Sequence, residues 1–167
     1  MAQYFKTVLV TNDSKKFIDS TEYNVENTLI ELYKSNNTFI NTIEREIFEK
    51  PTSLCFAGEY AKKLNTDDIL YFEENNIYNL CNNTIEKIRP RASKKIFKYI
   101  INNNTKEFID KTTMEVNPLP ILCCDFNYND YNGDDKQYVG KWSRNTIWTT
   151  SNEKHLKQLT EVTFNFR

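Results

Sequence analysis

The sequence predicts an α+β fold: two related β-rich units with supporting helices, packed with pseudo-twofold symmetry into one globule. Three observations predict it. A Gly-x-aromatic-small signature occurs twice, as Ala57-Gly-Glu-Tyr-Ala61 and as Val139-Gly-Lys-Trp-Ser143, so two of the three glycines occupy corresponding places. A strand–turn–strand passage also occurs twice: Tyr4-Phe-Lys-Thr-Val-Leu9 with Ser14-Lys-Lys-Phe-Ile-Asp19, and Ile96-Phe-Lys-Tyr-Ile-Ile101 with Thr105-Lys-Glu-Phe-Ile-Asp110. Between them the apolar spacing changes from strand-like to helical. The first unit is then residues 1–90, with a helical insertion over about 23–50, and the second is residues 91–167, with a polar, aromatic loop over 125–135.

Residues 4–10 alternate and are rich in β-branched side chains, and Asn12-Asp-Ser14 is turn chemistry before the run Lys16-Phe-Ile18, so the chain opens with a hairpin. From Tyr23 the apolar positions Val25, Leu29, Leu32 and Tyr33, then Phe39, Ile40, Ile43, Ile47 and Phe48, fall at helical spacings. They give two helices meeting near Ser35-Asn-Asn37, or one long bent helix, ended by Pro51. Residues 52–64 fit either state: Leu54, Cys55 and Phe56 suit a short buried strand, Tyr60, Ala61 and Leu64 a helix, and helix is the preferred reading. Ile69-Leu-Tyr-Phe72, entered through Asp67-Asp68, has strand length, and Ile77, Leu80, Cys81, Ile85 and Ile88 mark an amphipathic helix stopping at Arg89-Pro90.

The second unit replays the opening. Its spacing from Phe97 to Phe108 is one residue shorter than that from Phe5 to Phe17, a difference a hairpin absorbs in its turn. Pro118-Leu-Pro120 leads into Ile121-Leu-Cys-Cys124, the counterpart of Leu54-Cys55-Phe56. After the 125–135 loop come the turn Gly140-Lys-Trp142, a strand over 146–150, a short helix beginning near Asn152 and a last strand over 162–166. Gly58 and Gly140 are expected to allow a tight or positive-φ step, with Tyr60 and Trp142 filling the core of their units.

Composition narrows the function classes. A formal net charge of −1 removes the basic field that general nucleic-acid binding draws on. No run approaches membrane-spanning length, and the start Met-Ala-Gln-Tyr-Phe-Lys has no apolar leader, so the expected setting is intracellular, with no membrane partner. The four cysteines, Cys55, Cys81, Cys123 and Cys124, lack zinc spacing and read as reduced, mostly buried thiols. Asn is abundant and lysines outnumber arginines seventeen to five, a bias of the kind an AT-rich genome produces, which argues against reading each Asn as functional.

No catalytic residue, metal site or cofactor is assigned. Asp125, Asn127 and Asn129 alternate like the first ligands of a calcium loop, but Asp130 stands where glycine is needed and Lys136 where the bidentate glutamate is needed. His155, the single imidazole, would form a dyad with Cys123 or Cys124 only by spatial convergence. Arg89, Arg91, Lys94 and Lys95 form a basic cluster at the unit boundary, either a solvated linker or a contact for an anionic partner. The aromatic rings Phe126, Tyr128 and Tyr131 among polar neighbours have the chemistry of a recognition loop. The candidate binding residues are therefore Asp125, Phe126, Asn127, Tyr128, Asn129, Asp130 and Tyr131, with Lys141 and Trp142 of the adjoining turn.

Phe97-Lys98, the segment Thr105 to Asp110, Leu119-Pro-Ile-Leu-Cys123 and Val139-Gly-Lys-Trp-Ser143 with Asn145 and Ile147 together resemble a family of small proteins of protists and large DNA viruses. That family carries a YFK…KKE(Y/F)I…VGxWAGDxI pattern. Its Gly-rich loop is replaced here by residues 125–135, and its Gly-Asp pair by Arg144-Asn145. The resemblance implies a duplicated fold and a cytoplasmic, host-cytoplasmic or virion-interior setting, and it brings no activity. The expected function is a non-enzymatic interaction module engaging a protein partner or small polar ligand through the 125–135 loop. The alternatives are a hydrolase using Asp125, Asp130 or Asp134, with or without a divalent ion, and a structural or virion-packing protein.

Overall fold

The computed structural model describes residues 5–19, 38–58, 86–88, 97–125 and 137–164. The predicted helix around residues 25–33, the strand at 69–72, Tyr60 and the basic cluster of Arg89, Arg91, Lys94 and Lys95 lie outside these residues. Within them the fold is α+β and dominated by one mixed sheet. Its strands are β1 (Phe5–Val10), β2 (Lys15–Ile18), β3 (Thr52–Gly58), β4 (Glu86–Lys87), β5 (Tyr99–Asn102), β6 (Glu107–Asp110), β7 (Cys124–Asp125), β8 (Thr146–Thr150) and β9 (Thr160–Glu161). Eight of these run in the order β4-β2-β1-β3-β8-β5-β6-β9, and β7 lies beside β3. The helices are α1 (Thr38–Glu46) and the single turn α2 (Leu119–Leu122).

Each half of the sheet is entered through a hairpin. Val10 pairs with Lys15 across residues 11–14, and Asn102 with Glu107 across residues 103–106, so the two turns have the same length. The one-residue difference in phenylalanine spacing is therefore a difference of register, not of turn: Phe17 faces Val8, whereas Phe108 faces Ile101. From either edge inward the pairings run parallel, antiparallel, antiparallel. An antiparallel contact of β3 with β8 joins the halves at the centre.

Strand β3 is the hub. One edge is paired along its length to β1, from Phe5 opposite Gly58 to Val10 opposite Ser53. The other edge is divided between β8, at Thr52 and Ser53, and the parallel β7, at Phe56 and Ala57. All seven β3 residues are buried. This overturns the helical reading of residues 52–64 over their described part. A central strand covered on both faces shows no polar–apolar alternation, so Leu54-Cys55-Phe56 carried no period by which to recognise it.

Two further expectations are corrected. Glu86–Lys87 is a strand pairing with β2, and Ile88 donates its N–H to the Phe17 carbonyl, where a helix was expected. The stretch aligned with Leu54-Cys55-Phe56 opens as the helical turn α2, because Pro118 and Pro120 hold φ near helical values and Asn117 Oδ1 accepts the Leu119 N–H at 3.0 Å. Only Cys124 and Asp125 pair with β3. The last strand among the described residues is Thr160–Glu161, whereas residues 162–164 of the expected 162–166 strand are outside any strand, Val162 adding one N–H to the Phe108 carbonyl, and residues 165–166 lie outside the described ones.

The core gathers Phe39, Ile40, Ile43 and Ile47 of α1 against Leu54 and Phe56 of β3, with Phe39 and Phe56 edge to face at 6.5 Å. Leu119, Ile121 and Leu122 of α2 and Trp142 complete it. At the end of α1 the Glu49 N–H reaches the Thr149 carbonyl and the Thr149 N–H reaches Ile47, stitching the helix end to β8. Deep between α1 and the segment before α2, the buried Glu44 carboxylate takes the Lys111 ammonium at 2.5 Å and the Asn117 side-chain amide at 2.7 Å. Among the described residues no helix is long and apolar enough to cross a membrane.

Candidate functional site

The sequence-predicted site is anchored but only its ends are described. Asp125 ends β7, 10% exposed at its side chain, and pairs with the Arg144 guanidinium. Arg144 stands just before β8 with φ at 65°, a left-handed conformation that a non-glycine residue occupies at a cost. Its carbonyl accepts from Ser53 Oγ at 2.7 Å, and its N–H donates to the Leu54 carbonyl, so the pair clasps β7 to β8 where both leave β3. On the far side of the loop, Gly140 has φ at 70° and donates its N–H to Ile121, while the Trp142 N–H reaches Leu122.

Trp142 is fully buried and meets the Phe164 ring edge-on at 5.8 Å. It therefore supports a surface from beneath and offers no ring to a partner. Lys141 is exposed, its ammonium 5.3 Å from the Phe164 ring centre. Phe126, Asn127, Tyr128, Asn129, Asp130 and Tyr131 lie outside the described residues, as does Asp134. Gly58 does not share the role of Gly140: it ends β3 opposite Phe5, and Gly140 is the one described glycine with positive φ.

The cysteines and His155 do not come together. Cys123 and Cys124 are buried, and burial, reinforced by the neighbouring Cys55 thiol, pushes both thiols well above their ordinary range. Cys124 Sγ donates to the Ile121 carbonyl at 3.1 Å. His155 is on the surface, with Nε2 3.6 Å from Glu49 Oε1 and its ring edge-on to Trp148 at 5.1 Å. Among the described residues no group of three His, Cys, Asp or Glu side chains is placed to hold a metal ion.

A second location emerges around Trp148. A cleft of about 590 Å³ is lined by Ile101, Asn103, Lys106, Trp148 and the segment Lys154, His155, Lys157, Gln158 and Leu159. The turn of the second hairpin forms one wall. Asn102 Oδ1 accepts the N–H groups of Asn104 and Thr105, Asn104 Oδ1 accepts the Thr146 N–H at 2.8 Å, and Asn103 Oδ1 accepts the Trp148 indole N–H at 2.7 Å. These three consecutive asparagines each make a specific bond, although composition alone gave no reason to single them out.

The other wall is the single 3-10 turn Glu153–Leu156. Asn152 Oδ1 caps it on the Lys154 N–H, and the Tyr99 hydroxyl pins Glu153 at 3.2 Å. Thr160 then donates to the Lys106 carbonyl, closing the segment back onto the turn. Lys106 itself holds φ at 57°. Lys106, Lys154 and Lys157 are exposed and make no ion pair among the described residues, and no acidic side chain is among the described residues lining the cleft, Glu49 Oε1 lying 3.6 Å from His155 Nε2. The sequence signal was faint: Lys154 and Lys157 sit one helical turn apart around His155, but the turn residues that face them are about fifty positions earlier.

Compared with family models, curated proteins and solved structures, the chain matches none.

Proposed function

We propose that the protein is a non-enzymatic binding module whose ligand site is the cleft around Trp148. The observation that carries this reading is that Lys106, Lys154 and Lys157, which make no ion pair among the described residues, line one cleft with the half-buried Trp148 and no acid among its described lining residues. Three lysines around one cleft raise the local potential, which Glu49 beside His155 offsets only in part and a bound anion relieves further. Supporting it, the left-handed Glu49 and Lys106 both serve this face, Glu49 through His155 and Lys106 directly. Backbone held in a costly conformation concentrates where geometry serves recognition. The volume also falls within the range of about 300–1,000 Å³ common for small-molecule sites.

The chain's two tryptophans test it directly. In 15N spectra each gives one indole N–H signal, that of Trp148 from the cleft and that of Trp142 from the core. Titration with a panel of nucleotides, sugar phosphates, polycarboxylates and acidic peptides is expected to shift the Trp148 signal and leave Trp142 in place. A panel that moves neither signal refutes the cleft as a ligand site.

A second reading keeps the 125–135 loop as a protein-facing arm, favoured by the Asp125–Arg144 clasp that fixes its entry. Replacing residues 126–132 with a Gly/Ser linker and finding the same co-purifying proteins would sink that reading. We also take the chain to be an internal duplication and a diverged relative of the protist and viral family its second half resembles. The equal hairpin turns and the mirrored order of parallel and antiparallel pairings support the duplication.

A further inference from the structure

We infer that the cleft takes a nucleotide, with a planar base against Trp148 and phosphate oxygens met by Lys106, Lys154 and Lys157; this rests on the cleft being the ligand site. The indole is held at its edge by Asn103, and the exposed His155 ring meets it at 5.1 Å with the planes 77° apart, so a base reaches the indole by displacing that imidazole while the indole itself stays fixed. Base-on-aromatic stacking accepts any base, because every base has a π-face. Lysine ammonium groups on flexible stems are suited to phosphate oxygens as point charges, and here three of them line the cleft with no acid among its described lining residues.

Two amides add edge recognition. Asn103 spends its oxygen on the indole, which leaves its Nδ2 donors facing no partner among the described residues, and Gln158 lines the same cleft with both a donor and an acceptor. An acidic peptide would satisfy the lysines and hydrogen-bond the amides through its backbone, but without an aromatic side chain it brings no ring to stack on the indole. The net charge of −1 still denies the protein the long-range field needed to coat a duplex. The positive potential is local, which suits a single nucleotide or the end of a single strand.

The experiment titrates the full chain with AMP while following Trp148 by its indole N–H signal and by fluorescence quenching. Adenosine and pyrophosphate serve as half-ligands. A short oligothymidylate tests a single strand, a DNA duplex tests the helix, and an acidic phosphopeptide tests the competing class. AMP or the oligothymidylate is expected to bind at Trp148, with each half-ligand about tenfold weaker or more because it keeps only part of the contacts. Tighter binding of AMP assigns the free nucleotide as the source; tighter binding of the oligothymidylate assigns the single strand. Lys154→Ala and Lys157→Ala, at exposed positions that leave folding intact, should each weaken binding about two- to fivefold, the range of an exposed ion pair. A Trp148 response to the phosphopeptide alone overturns the nucleotide and leaves the binding cleft standing. Equal affinity for pyrophosphate and AMP overturns the stacked base, and silence toward every probe overturns nucleotide and cleft together.

Discussion

The Trp148 indole N–H donates to Asn103 Oδ1 at 2.7 Å, joining the middle of β8 to the turn between β5 and β6. That bond decides whether the aromatic wall of the cleft is a fixed platform or a swinging ring. Asn103→Ala should cost about 0.5–1.5 kcal/mol of stability, the net worth of one hydrogen bond. It should also broaden or shift the Trp148 indole signal while Trp142 stays in place. Urea denaturation and a 15N spectrum of the variant measure both, and an unchanged Trp148 signal would show the platform to be held by other contacts.

The Glu44 carboxylate is fully buried, and the side chain of its partner Lys111 is 11% exposed. Removing one member strands the other charge away from water. Glu44→Ala should therefore destabilise by about 3–5 kcal/mol, and Glu44→Gln by less, since the amide keeps the bond from Asn117. Denaturant midpoints at constant slope test the order, and equal losses for the two variants would mean the Asn117 bond contributes little beside the pairing of Glu44 with Lys111.

Lys106 occupies the left-handed region with a full side chain. Lys106→Gly should raise stability by about 0.5–1 kcal/mol by removing that penalty, while lowering ligand affinity by removing an ammonium from the cleft. Opposite signs in stability and binding are the expected signature of strain retained for function. A variant that gains or loses both together would break that link.

Burial raises the Cys123 and Cys124 thiols in the folded state, so folding holds their protons on. Their contribution is then fully present below the unfolded thiol value of 9.0 and is lost as pH climbs above it toward the folded values. Each thiol should add a fall of about 1.4 kcal/mol per pH unit in that window. Stability measured from about pH 8 to about pH 10.5 should decline more gently in Cys123→Ala than in the parent chain, and parallel curves would count against the thiols as its cause.

Much of the sheet was legible in the sequence. The two hairpins announced themselves through their Asn-containing turns, although β1 and β5 are buried along their length, and β8 fell at residues 146–150 as expected, because those segments have clear punctuation. β3 was not legible, since a strand buried on both faces reads as a plain apolar run. The turn α2 was hidden by the apolar stretch it opens, although Pro118 and Pro120 carried the helical signal. The cleft was illegible for a different reason. Its residues come from segments around positions 103, 148 and 157, and only the pairing of β5 with β8 brings them to one place. His155 stood out as a single imidazole, yet its partners, Glu49 and Trp148, follow from the sheet and not from spacing.

The contact of β3 with β8, made at Thr52 with Ile147 and Ser53 with Thr146, has a kinetic meaning. The hairpins close over four residues each, whereas this seam joins positions separated by more than half the chain. Local closures are fast, and the entropy of a long loop must be met before a distant pairing returns anything. The hairpins should therefore be formed in the folding transition state while the seam is still open. Substitutions at Ile100 or Val8 would then slow refolding, and one at Ile147 would chiefly hasten unfolding. The reverse pattern in stopped-flow chevrons would place the seam in the nucleus. Trp148 pairs with Ile101 of β5, so its fluorescence would report the docking of β8 on the second hairpin, a closure of shorter sequence separation that should precede the seam, and the ligand platform would be built before β3 is joined to it.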